Sequence, residues 1–148
     1  MNKPAKLRSR NTGTADSQTM YSLVRAAHVL EARLEDALEQ VGLSLPKFGA
    51  LSHLVKEGEP LSLSECADRM TCVRSNMTQL MDRLEADGLV RRVEDPEDRR
   101  AVRAVATPLG KERYAAGVKQ VEKVQAQFAE TISGVDHKAL ERVLSALK

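Results

Sequence analysis

At 148 residues, with 23 lysines and arginines against 21 aspartates and glutamates, the chain has the size of one ordinary domain, and its formal charge of +2 does not announce a polyanion partner in bulk. Tryptophan is absent and tyrosine and phenylalanine number two each, too few for the aromatic platforms that stack single-stranded nucleic acid, so duplex grooves stay open. No apolar run approaches the roughly 20 residues of a membrane span, and Lys3, Lys6, Arg8 and Arg10 are not followed by the apolar core of a signal peptide, so a cytoplasmic chain without membrane contact is expected.

Residues 1–16 are polar and lack a hydrophobic period, and read as a flexible basic arm; residues 17–148 read as a single domain. Met20, Leu23, Val24, Ala27, Leu30, Leu34, Leu38 and Val41 recur at three- and four-residue steps, a long amphipathic helix stopped by Gly42. Ser44 and Pro46 are placed as cap and early-turn proline of a second helix carrying Phe48, Leu51, Leu54 and Val55, with Gly58 beyond its end. Ser62 and Glu65 have capping-box spacing before a short helix with Leu63, Cys66, Ala67 and Met70 on its buried side. After a break at 71–73, Met77, Leu80, Met81 and Leu84 share one face of a fourth helix that Gly88 terminates.

Beyond Leu89 the period changes. Val90 and Val93, then Val102 and Val105, flank the polar stretch 94–100, which predicts a β-hairpin with a charged tip. Thr107 and Pro108 open a long helix through Val118, Val121, Val124, Phe128 and Ile132, and Asp136 caps a last one bearing Leu140, Val143, Leu144 and Leu147. The fold class is therefore mainly α with a small β-hairpin wing. It is a winged helix-turn-helix reading head over about 44–107, with a helical dimerisation lobe formed by the N- and C-terminal helices, about 17–42 and 108–148.

In such a head the second helix of the pair can enter a major groove by its amino end. Opposite its apolar stripe stand Arg74, Ser75, Asn76, Thr78, Gln79 and Arg83. Arginine forks onto guanine, and asparagine or glutamine onto adenine, so this face suits base edges. The hairpin sets Arg99 beside Arg100 at its tip, with Arg103 on the returning strand and Arg91 and Arg92 at the base. Exposed ion pairs contribute only about 0 to 1 kcal/mol each, so five guanidinium groups on one hairpin point to phosphate or minor-groove contact rather than to folding. The acids before Arg99 are expected to orient its side chain.

The stretch MTCVRSNMTQLMDRLEADGLVRRVEDPEDRRAVRAVATPLG, from Met70 to Gly110, closely resembles the recognition helix and wing of MarR-family transcriptional regulators. The likeness extends from about residue 20 to the end. The resemblance implies Arg74, Ser75, Asn76, Thr78 and Gln79 at the major groove and Arg99, helped by Arg100, at the minor groove. Thr71 and Val73 stand where such proteins often have glycine and a Ser or Asp cap, so the recognition helix starts differently here.

The first, fifth and sixth helices carry more apolar stripe than a small head can cover, and the resemblance implies the same outcome: a homodimer formed by both termini. Two-fold symmetry then predicts a palindromic double-stranded operator with half-sites about 10 base pairs apart. The resemblance further implies a repressor relieved by a small aromatic ligand, for which Tyr21, His28 and His53 are candidate polar contacts, or by thiol oxidation. Cys66 reads as a core residue, whereas Cys72, beside Arg74 near a helix amino end, is placed for a lowered thiol pKa. Peroxide-sensing members carry their reactive cysteine near the start of the first long helix, and none stands there. No cofactor, metal site or catalytic constellation is expected: His28, His53 and His137 are far apart, and no nucleophile-base set has a familiar spacing. The rival reading is a winged-helix module that docks its arginines on an acidic protein.

Overall fold

In the computed structural model the described residues are 12–70 and 74–147. They form α1 (Thr12–Glu39), α2 (Leu45–Glu57), β1 (Leu61–Ser62), α3 (Leu63–Met70), α4 (Arg74–Ala86), β2 (Val90–Glu94), β3 (Val102–Ala106), α5 (Pro108–Thr131) and α6 (His137–Ser145). Two structural units divide between Arg33 and Leu34. In the first, α1 begins at Thr12, so residues 12–16 are helical rather than part of an unstructured arm; Thr12, Thr14 and Asp16 break no backbone rule of a helix, and only hydrophobic periodicity is missing there. Residues 1–11 lie outside the described residues. From Asp16 to Val29 every side chain on α1 is exposed, Met20, Tyr21, Leu23, Val24 and Val29 included.

The second unit holds the reading head and the last two helices. Its end signals act as their chemistry dictates. Ser44 accepts the Lys47 N–H at α2, Thr107 accepts the Gly110 N–H at α5, and Asp136 accepts from Lys138 and Ala139 at α6. At Gly42 (φ 68°) and Gly88 (φ 72°) the chain turns left-handed. At each, the following amide bonds back across the last turn, Leu43 N–H to Leu38 C=O and Leu89 N–H to Leu84 C=O, which satisfies carbonyls a helix end leaves open.

The sheet adds a strand to the expected hairpin: β3 lies between β1 and β2, antiparallel to both, in the order β1-β3-β2. Leu61 pairs with Ala104 and Ser62 with Arg103, while Arg92 faces Ala104 and Val93 faces Arg103 on the other side. A two-residue strand leaves no periodic trace in a sequence, which is why only the tertiary pairing reveals it. Leu38, Leu51, Leu54, Leu61, Cys66, Met77, Met81, Leu84, Leu89, Val90 and Ala104 are fully or nearly fully buried in one cluster beneath α2, α3, α4 and the sheet. Burial pushes the Cys66 thiol up to about 11, in keeping with its expected core place.

Two glycines let α5 approach. A side chain at Gly110 would collide with the Leu89 backbone carbonyl, and one at Gly117 would press on Phe48 and Leu43. Phe48 in turn stacks on Tyr114 with centroids 5.3 Å apart. The Leu89 carbonyl accepts the Thr107 N–H at 3.0 Å, and the Thr107 hydroxyl donates to the Gly88 carbonyl at 2.6 Å. The Thr-Pro-Leu-Gly segment thus joins the end of α4, the first hairpin strand and α5 at one point.

Candidate nucleic-acid interface

Helix α4 sits with Met77, Met81 and Leu84 wholly buried, which turns the opposite face outward. Asn76, Thr78, Gln79 and Arg83 are exposed on it, and Arg74 and Ser75 are its first two residues. The geometry brings together, on one helix, the residues expected at base edges.

The hairpin tip is built by its acids through the backbone. Asp95 Oδ1 accepts the Glu97 N–H at 2.8 Å, Asp98 Oδ1 accepts the Arg100 N–H at 2.9 Å, and the Asp98 carbonyl accepts the Ala101 N–H at 2.9 Å. These carboxylates therefore shape the turn that carries Arg99, instead of gripping its side chain as expected. Arg99 and Arg100 are exposed, and neither guanidinium makes a hydrogen bond or ion pair with a described residue.

Arg103 and Arg92 differ. Arg103 Nε donates to Asp95 Oδ2 at 2.6 Å, and its Nη1 donates to the Pro60 carbonyl at 3.1 Å and to Glu65 Oε2 at 3.3 Å. Arg92 on β2 reaches Asp82 and Glu85 on α4, the latter at 2.8 Å. Two of the five hairpin arginines, Arg92 and Arg103, are thus engaged by the fold itself, a structural use the sequence reading did not foresee. The signal was present in the sequence: Asp82 and Glu85 are three apart, on one helix face, but which strand residue meets them depends on how the hairpin folds back.

Glu65 is also the reciprocal partner of Ser62. Its Oε2 accepts the Ser62 N–H at 2.7 Å, while Ser62 Oγ accepts the Glu65 N–H at 3.1 Å, the capping box read from the sequence. The Ser62 backbone and hydroxyl, then Arg103 and Arg69, hold the Glu65 carboxyl below the usual carboxylate range; the Glu97 N–H, then Arg103, do the same for Asp95. A depressed folded-state pKa contributes stability above the unfolded value, near 4, and loses it as pH falls through the folded value. Acidification below about pH 4 is therefore expected to weaken the wing's attachment, which neutral conditions keep in place, and Asp95→Asn is expected to flatten the melting temperature against pH between about 5 and 3. An unaltered pH profile in that variant would contradict the assignment.

Of the expected ligand contacts, Tyr21 and His28 are exposed on α1 and His53 is half-buried on α2. Cys72 lies outside the described residues. No helix among the described residues is long and apolar enough to cross a membrane.

Residues 43–102, from the end of α1 to the start of β3, match the model of the MarR family. Over that segment the chain is similar to the MarR family. Among the chain's relatives, the uncharacterized HTH-type transcriptional regulator YsmB of Bacillus subtilis is 34% identical over 89 residues, 60% of this chain and 60% of YsmB. HTH-type transcriptional regulator TtmR of Methylorubrum extorquens is 34% identical over 65% of this chain and 49% of its own length. The chain thus spans between about half and three fifths of these curated relatives. A MarR family protein from Bacillus stearothermophilus superposes with a TM-score of 0.66 at 28% identity, covering 94% of this chain and 96% of that one. The transcriptional repressor CouR, solved bound to a 23-mer DNA duplex, shares the fold at a TM-score of 0.79 and 24% identity, over 94% of this chain and 98% of CouR.

Proposed function

We propose that this chain is a MarR-family, sequence-specific transcriptional regulator of double-stranded DNA, acting as a homodimer. One observation carries the reading: the outward face of α4 with Asn76 and Gln79, and the wing tip with Arg99 and Arg100, are left exposed on a head whose Arg92 and Arg103 are engaged by the fold. Asn76, Gln79, Arg74, Ser75, Thr78 and Arg83 are assigned to the major groove and Arg99 and Arg100 to the minor groove or its phosphates. The exposed apolar residues of α1, Val143 on α6 and Leu147 just beyond it support a dimer, since faces of this kind are covered in stable assemblies. Repression relieved by a small aromatic ligand, or by oxidation of Cys72, completes the proposal.

The test is a salt titration against a duplex selected from genomic fragments. Two chains per palindromic duplex are expected, with log affinity falling against log salt by about 0.9 per neutralised phosphate. Arg99→Ala should weaken binding to every duplex alike and reduce that slope by about 0.9. Binding of a single chain would remove the dimer. Salt-insensitive binding, or an Arg99→Ala variant indistinguishable from the parent, would leave the protein-docking alternative standing. Addition of benzoate or peroxide to the bound complex tests relief, and unchanged affinity with both would remove that part.

A further inference from the structure

We infer that Arg103 is a positioning residue that sets the wing against the helix-turn-helix, and that it does not itself bind DNA. The inference rests on the DNA-binding reading and revises one of its expected contacts. The Arg103 guanidinium spans three separate pieces of chain: Asp95 at the hairpin turn, the Pro60 carbonyl just before β1, and Glu65, whose same Oε2 caps α3. Asp95 is only 12% exposed, and its other oxygen already holds the turn through Glu97. A shift of Arg103 would therefore be felt both at the tip that carries Arg99 and at the amino end of α3.

The surroundings also disfavour a phosphate. The shallow groove beside Arg103 is lined by Glu59, Asp95 and Glu97 together with Pro60 and Pro96, so a polyanion reaching Arg103 would first meet three carboxylates. Arginine is needed there for its shape: Nε and Nη1 diverge from one planar group toward Asp95 on one side and Pro60 and Glu65 on the other. A lysine keeps the charge but presents a single nitrogen that cannot span both. That difference separates the two roles, because lysine serves a phosphate well as a point charge.

Binding of the selected duplex is compared for Arg99→Ala, Arg103→Ala, Arg103→Lys and the double variant Arg99→Ala/Arg103→Ala, with thermal melts confirming that each is folded. Positioning predicts that Arg103→Ala weakens binding roughly tenfold alone and less than about twofold once Arg99 is gone, since coupled residues are not additive. It also predicts that Arg103→Lys behaves like Arg103→Ala. Rescue by lysine, or the same weakening with and without Arg99, would make Arg103 a direct phosphate contact and overturn the inference. If instead Arg99→Ala leaves binding unchanged, the wing reading itself has failed, and the inference falls with it. Amide exchange of the free protein gives a readout without DNA: Arg103→Ala should raise exchange over 95–101 and leave the α5 amides protected, and a wing as protected as the parent's would also overturn it.

Discussion

Replacing Gly110 with alanine is expected to cost about 3 kcal/mol, at the upper end of what overpacking usually costs, and to lower Tm by roughly 6–12 °C for a chain of this size. The reason is the neighbour. A methyl group there would run into the Leu89 carbonyl and its flanking backbone atoms, and backbone cannot swing aside as a side-chain tip can. That carbonyl is also fixed from the other side by the Thr107 N–H, so relief would require losing the hydrogen bond or lifting α5 off the hairpin. Gly134 is the matched control. An added methyl there meets nothing within 4 Å, and Gly134→Ala should stay within about 0.5 kcal/mol of the parent. Thermal melts of the two variants side by side check both numbers. Equal melting temperatures would show that α5 does not need its close seat on Leu89.

Asn76→Ala and Gln79→Ala are each expected to weaken operator binding by about 1–3 kcal/mol, roughly 5- to 150-fold, with the loss confined to one base pair. Both residues are exposed on α4, whose Met77, Met81 and Leu84 are wholly buried, so trimming them leaves the core intact and the melting temperature within about 0.5 kcal/mol equivalents of the parent. Amide side chains can fork onto adenine, and replacing that base pair should cost the parent protein as much as the substitution does. Arg83 provides an internal gradient. It stands seven residues beyond Asn76, about 10 Å farther along the helix, and a recognition helix contacts bases mainly through its amino end; Arg83→Ala should therefore cost less than either. Binding measured against a set of single-base-pair operator variants checks the pattern. Uniform losses across every variant would place Asn76 and Gln79 on the backbone instead of the bases.

The helix ends were legible because each depends on a few adjacent atoms. Ser44, Ser62 with Glu65, Thr107 with Pro108, and Asp136 act within four residues of themselves, and Gly42, Gly58 and Gly88 adopt the positive φ their positions ask for. The apolar face of α4 was equally plain, since Met77, Met81 and Leu84 keep helical spacing and end fully buried. The beginning of α1 was not legible. Thr12 to Asp16 carry no apolar period, and periodicity reports burial, not helicity as such.

The arginines divide along the same line. Their number and their place on the hairpin are sequence facts, and so is the chemical fitness of Asn76 and Gln79 for base edges. Which guanidinium groups stay outside and which turn back depends on contacts 7 to 43 residues apart, between Arg92 and Glu85 at one extreme and Arg103 and Pro60 at the other. Short-range rules of capping, turning and periodicity are written residue by residue and so survive in the one-dimensional record. Long-range pairing is settled only when β3 slots between β1 and β2 and brings Asp95, Glu65 and Arg103 within hydrogen-bonding reach.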